Sequence, residues 1–330
     1  MDGRRERLID HPVEHEREPA EVVSLRRRDV YQRPLVEGRE TGDTAPARFS
    51  AWLKRVTTSS GERAEQALDE EIRRAVVTRC NRIAVVSPKG GVGKTTCTFL
   101  AGNLLASHPR LRVLAMDANR DFGTLASLAP DSNRVERSLA DLLSRIDRIS
   151  SATELVPYVS RISTGLHVMA APARPEVMAQ LTPELYGELL EFVGAYYDVI
   201  LLDLGTGIID PLAQFGIERA DQTLVVTTPE FVTAEKVLGA LRYLRGDDPT
   251  TLSQARSLTV VLNGAGNHSG GLEEIGAAFR DAGVPDHVAI PYDDRLRVML
   301  DSATYEIDSL GRGTRMAIKG MGATVAHKLA

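Results

Sequence analysis

Ser87-Pro88-Lys89-Gly90-Gly91-Val92-Gly93-Lys94-Thr95-Thr96 joins the apolar run RIAVVS (82–87) to the helix-forming run CTFLAGNLLA (97–106), and this junction decides the fold. A glycine-rich turn between strand and helix aims several backbone N–H groups at one point. The partial positive charge of the helix N-terminus then favours a polyphosphate there. The amides from Lys89 through Gly90, Gly91, Val92, Gly93 and Lys94 to Thr95 and Thr96 supply that cradle. Lys94 is placed to neutralise β/γ oxygens, and the Thr95 hydroxyl to complete a Mg²⁺ shell. The strict pattern G-x-x-x-x-G-K-[ST] is broken only at its first glycine, where Pro88 stands.

Outward from the junction, β-branched runs of strand length alternate with helix-length stretches. They are RVLAM (112–116), LHVMAA (166–171), DVILLD (198–203), QTLVVTT (222–228), LTVVLN (258–263) and HVAI (287–290). Continuous apolar strands separated by helices read as a parallel sheet covered on both faces. The expected fold is therefore α/β: a doubly wound, mostly parallel sheet with helices on both faces, of the P-loop NTPase kind, over residues 80–330. Ligands in such sheets bind at the carboxyl ends of strands. DVILLD ends there in Asp203-Leu204-Gly205, an apolar strand closed by an acid and a glycine. Asp203 would bind Mg²⁺ through water, with Gly205 letting the loop move; the plainer alternative is a strand-end Asp that caps the next helix.

The 330 residues are 43% hydrophobic and 26% charged, ordinary globular composition that excludes collagen-like, wholly disordered and disulfide-scaffold classes. Forty basic against 45 acidic residues make a chain uniformly coated by nucleic acid unexpected. No apolar run approaches the ~18–20 residues that cross a bilayer, and MDGRRERLID has no apolar signal core. Cys80 and Cys97 have no zinc spacing, and a reduced, cytoplasmic chain is the simplest expectation. Residues 1–47 mix charges densely and are expected to be disordered; their cluster Arg26-Arg27-Arg28 reads either as a phosphate or lipid-headgroup contact or as a solvated tail. A helical lead-in is expected over 48–79. Phe49, Trp52, Leu53 and Val56 stand at helical spacing, suited to a membrane surface, a partner groove or the chain's own core.

The second lysine of the loop, Lys89 in K-G-G-V-G-K-T-T, resembles the deviant Walker signature of the ParA/MinD family of dimeric ATPases, and the resemblance runs from about Asn81 to the C-terminus. It implies ATP and Mg²⁺ as ligands and a homodimer formed on ATP binding. Lys89 would then reach the partner's phosphates, acting like an arginine finger. The family usually has D-x-D after the second strand. Asp117 matches the first acid, near Mg²⁺, but Asn119 stands where the second would position the attacking water. An amide holds water but takes up no proton, so slow hydrolysis is expected, with Asp121 or a partner compensating. Asn263 and the Pro291-Tyr292-Asp293 turn match the family's adenine pocket, and the absence of an N-K-x-D motif favours ATP over GTP.

The pairing of the loop with D-A-N-R-D-F-G-T-L is similar to the actinobacterial MinD-like ATPases of type VII (ESX) secretion loci, the EspI-like group. GLHVMAAPARPEVMAQLTPE also resembles the CpaE/TadZ branch of pilus assembly. The implied role is a switch that positions or regulates a membrane-associated secretion, pilus or division assembly. It would have a protein partner that stimulates hydrolysis and a peripheral contact at the inner face of the membrane. The alternatives are a DNA-associated partitioning ATPase, for which Arg312, Arg315, Lys319, His327 and Lys328 offer a thin basic supply, and an ATP-locked scaffold that does not hydrolyse.

Overall fold

The computed structural model describes residues 61–329, except 120–122, 208–209, 246–256, 267–270 and 285. The charged tail, the Trp52 segment and Asp121 thus lie outside the described residues.

The chain enters through helix α1 (Gly61–Arg73) and then lays down β1 (Asn81–Ser87), α2 (Lys94–Ala106) and β2 (Val113–Ala118). Short helical turns lead to β3 (Ser160–Arg161) and β4 (His167–Met169), followed by α3 (Pro183–Gly194), β5 (Val199–Thr206) and α4 (Pro211–Arg219). The last third comprises β6 (Gln222–Thr227), α5 (Phe231–Arg245), β7 (Leu258–Ala265), α6 (Leu272–Asp281), β8 (His287–Pro291), α7 (Asp294–Asp301) and α8 (Arg312–His327).

One eight-stranded sheet results, in the order β3-β4-β2-β5-β1-β6-β7-β8. Every pairing is parallel except β3 with β4, at the edge. The expected doubly wound, mostly parallel sheet is what forms. Its two faces can be read along β1, because side chains alternate across a strand. Ala84 and Val86 join α3, α4, α5 and α6 in one apolar cluster, while Ile83 and Val85 join α1, α2, α7 and α8 in the other. β3 has no counterpart in the sequence reading, since two residues are too short to show alternation.

Helix α1 buries Leu68 and Ile72 and reaches α8 at Gly322, where a Cβ would stand 2.8 Å from Leu104 Cδ1 and 3.2 Å from Ile72 Cδ1. Beside this contact, Glu65 accepts from Arg315 Nε at 2.6 Å and from Lys319 at 2.8 Å, and Asp69 accepts from Lys319 at 2.9 Å. Lys319 is nearly buried, so its charge depends on these two acids.

Candidate functional site: a phosphate-binding loop at the carboxyl ends of the strands

β1 leaves the sheet between β5 and β6. The connections from β1 to β2 and on to β4 go one way and those from β4 through β5, β6 and β7 to β8 go the other, the topology that opens a crevice at the strand ends. Ser87 starts the loop: its hydroxyl donates to the Lys89 carbonyl at 2.9 Å and accepts from the Lys89 N–H at 3.1 Å. Gly91 (φ 74°) and Gly93 (φ 92°) take left-handed backbone that other residues rarely adopt. With this turn closed, α2 begins at once, and the Cys97 N–H donates to the Gly93 carbonyl at 2.9 Å. The first N–H groups of a helix have no partner within it, so the start of α2 offers donors to a ligand.

Lys94 opens α2 and is buried. Desolvation holds its ammonium below the usual lysine range, against the opposing charges of Asp203 and Asp117. The Thr95 hydroxyl donates to Asp203 Oδ2 at 2.6 Å, and the Thr98 hydroxyl donates to the Lys94 carbonyl at 3.0 Å while standing 3.5 Å from Asp203 Oδ1. Asp203 lies on β5 directly opposite Asp117 on β2 and Val85 on β1. The structure thus brings Lys94, Thr95, Asp117 and Asp203 to one place.

Burial pushes the Asp117 carboxyl up to about 7, and the charge of Asp203 pushes it the same way. Burial likewise pushes Asp203 up to about 6, against the hydroxyl of Thr95 and the charge of Lys94. Asp117 also organises the following loop, accepting from the Leu125 N–H at 2.9 Å and the Asn119 N–H at 3.1 Å. Gly123 sits so close that any Cβ there would overlap the Asp117 carboxylate. Thr95, Asp117 and Asp203 form an all-oxygen donor set, the kind a hard dication takes.

Lys89 is held within its own chain, where its ammonium lies 3.3 Å from Glu230 Oε2 and 3.1 Å from Thr233 Oγ1. The hydroxyl of Thr233, and then Lys89, hold the Glu230 carboxyl below the usual range. Sequence reasoning missed Glu230, Thr233 and Thr98. Glu230 carried a signal, since TTPE (227–230) follows β6 at the carboxyl end where ligands gather.

Asn263 and Pro291 stand on neighbouring, paired strands. β7 and β8 pair Asn263 with Ile290 and, past an irregularity, Ala265 with Pro291. The Tyr292 N–H then donates to the Ala265 carbonyl at 2.9 Å. The Asn263 amide reaches back to the loop, with Nδ2 donating to the Val92 carbonyl at 2.9 Å. Three of the C-terminal basic residues are engaged within the chain: Arg315 and Lys319 pair with Glu65 and Asp69, and Lys328 pairs with Asp286 at 2.8 Å. No helix among the described residues is long and apolar enough to cross a membrane.

Comparison with known proteins places this site in a family. Residues 80–245 match the model of an AAA domain family, half of the chain. The chain is 30% identical over 186 residues to the ESX-1 secretion-associated protein EspI of Mycobacterium tuberculosis, a match covering 55% of this chain and 27% of that protein. It thus spans only about a quarter of that relative. In structure it is similar to a ParA family ATPase from Chlorobium tepidum, with TM-score 0.62 and 23% identity over 74% of this chain and 98% of that one. It is also similar to the septum site-determining protein MinD complexed with Mg-ADP from Pyrococcus horikoshii, with TM-score 0.58 and 22% identity over 73% and 94%. With the glycine loop, its two lysines and the strand-end acids already in place, the chain belongs to the ParA/MinD-like AAA-domain family of P-loop ATPases.

Proposed function

We propose that the chain binds Mg-ATP at the Ser87–Thr96 loop, dimerises on it, and hydrolyses it slowly as a switch that positions or regulates a membrane-associated assembly. The observation that carries this reading is the Thr95–Asp203 bond of 2.6 Å beneath the amides of a glycine loop, with Lys94 buried alongside. Those amides and Lys94 hold the β/γ-phosphates. Thr95 and Asp203, with Asp117 beside them, hold Mg²⁺. When bound there, Mg²⁺ would offset charge on the transferring phosphoryl group. Burial holds the Asp117 and Asp203 carboxyls toward their protonated forms, and a dication between them would relieve both.

Lys89 supplies the dimer-dependent charge. In the single chain it rests on Glu230 and Thr233. Glu230 is well exposed, so the pair is worth about 0–1 kcal/mol and yields readily to a polyphosphate from a second copy. Asn119 retains and orients a water without accepting its proton, which makes turnover slow and leaves room for a stimulating protein partner. The secretion role rests on the similarity to EspI. The DNA reading is weakened by the ion pairs that occupy Arg315, Lys319 and Lys328.

Light scattering after size exclusion tests the switch. Wild type is expected to dimerise with Mg-ATP and stay monomeric with Mg-ADP, whereas Lys94→Ala stays monomeric in both. Nucleotide-independent mass for all samples contradicts the reading. Co-sedimentation with anionic vesicles or with DNA then separates the surface roles by what is pulled down and by its salt dependence.

A further inference from the structure

The Asp203 carboxylate has two oxygens, and α2 brings one hydroxyl to each. Thr95 donates to Oδ2 at 2.6 Å, and Thr98 stands 3.5 Å from Oδ1. The run Lys94-Thr95-Thr96-Cys97-Thr98 sets these two hydroxyls three residues apart, on one face of the helix. Thr98 and Asp203 are both buried, Thr98 completely. The Thr98 hydroxyl has a single proton and two acceptors beside it, the Lys94 carbonyl at 3.0 Å and Asp203 Oδ1. Within a helix that carbonyl already accepts the N–H four residues on, so the hydroxyl is a second donor to it. Turning the hydroxyl about its own C–O bond moves the proton from one acceptor to the other.

We infer that Thr98 is a positioning residue for Asp203: lying against Oδ1, it fixes the plane of the carboxylate and so keeps Oδ2 together with the Thr95 hydroxyl beneath the loop. The inference rests on the proposed binding of Mg-ATP and adds a residue outside the set that holds phosphate and ion. The terminal torsion of an aspartate is broad and roughly two-fold, so a carboxylate held at one oxygen still turns. Held at both oxygens it keeps one orientation. The holder is itself stiff, because a helical threonine has few rotamers and a bond to the carbonyl four residues back selects one of them. Here the bond to Lys94 selects the rotamer that brings the hydroxyl to Asp203. The plainer role for Thr98 is that local tie alone, a side chain bonded to its own helix. The two roles differ in what loss of the hydroxyl does to the metal-dependent part of binding.

Calorimetry separates them by measuring ATP affinity with Mg²⁺ and with a chelator, alongside each protein's nucleotide-free unfolding midpoint. Thr98→Val keeps the branched shape without the hydroxyl, Thr98→Ala is a second hydroxyl-free variant, and Thr98→Ser keeps the hydroxyl. Both hydroxyl-free variants are expected to lose about fivefold of the affinity that Mg²⁺ confers, the scale of one hydrogen bond. Their affinity for ATP under chelation should stay within about twofold of wild type, and Thr98→Ser should recover most of the loss. In an Asp203→Ala background, Thr98→Val is expected to change ATP affinity no further, because the pair then has one member. A loss that is equal with and without Mg²⁺, or that persists after Asp203→Ala, assigns Thr98 to the local tie and overturns the inference. So does a full Mg²⁺-conferred gain in either hydroxyl-free variant. Wild-type protein that takes no nucleotide overturns the Mg-ATP reading itself, an outcome distinct from these.

Discussion

Asp117 on β2 and Asp203 on β5 face each other in parallel register at the crevice, both buried, with the Lys94 ammonium as a nearby positive charge. Their carboxyls are raised to about 7 and about 6, chiefly by burial. The folded chain therefore holds protons that the unfolded chain releases near pH 4. For these two groups stability is fully present below the ordinary carboxylate range and is lost as pH rises through 6 and 7. Acids held low, such as Glu65 and Asp198, act only from the ordinary carboxylate range downward, and half-buried His167, held below its usual value, tilts the opposite way in mild acid. A difference between variants isolates the pair. Asp203→Asn is expected to raise the nucleotide-free unfolding midpoint more at pH 8 than at pH 5, while it abolishes hydrolysis. An equal shift at both pH values contradicts the account.

Removal of magnesium acts on the same pair. Chelation at pH 8 is expected to weaken nucleotide binding at least tenfold, because two charged carboxylates then stand unrelieved beside a triphosphate. Titration of ATP with and without a chelator measures it; equal affinities would remove Asp117 and Asp203 from the metal account.

Lys89 separates binding from turnover. Its ion pair with Glu230 is exposed, so Lys89→Ala should change stability by no more than about 1 kcal/mol. ATP affinity should stay within about threefold of wild type while hydrolysis falls at least tenfold, because the residue is asked to supply charge at the transition state. Normal hydrolysis by Lys89→Ala would withdraw the cross-subunit role.

Asn119 sets the basal rate. Asn119→Asp restores a group able to accept a proton and is expected to raise single-turnover phosphate release about tenfold, within the range for a general base. An unchanged rate takes Asn119 out of the catalytic account.

The junction of α1 with α8 is held by charge in a nearly buried place. Glu65→Ala leaves Arg315 and Lys319 short of an acid and is expected to cost about 2–3 kcal/mol in urea unfolding. Lys319→Met keeps the packing volume and should leave nucleotide affinity unchanged. A loss of affinity would show that α1 communicates with the loop.

What was legible in the sequence follows from physical range. RIAVVS, the glycine turn and the helix after it are contiguous, so β1, the loop and α2 could be read directly; Asp203 was singled out as the acid closing the apolar run DVILLD, although β5 continues to Thr206, and Asp117 by its resemblance to the family's D-x-D. The hold of Glu230 and Thr233 on Lys89 spans 141 and 144 positions, and that of Glu65 on Arg315 spans 250. Folding alone brings such pairs together, and no local period encodes them. Asn263 was singled out in the sequence only by resemblance, and its bond to Val92 accompanies a break in β7 that LTVVLN does not announce.

Titration calorimetry of the folded, nucleotide-free protein with Mg-ATP tests the central claim most directly. The account predicts saturable heat at one site per chain that disappears in Lys94→Ala and weakens at least tenfold in Thr95→Ala. Absence of heat from folded wild type, or binding indifferent to Lys94, would contradict it.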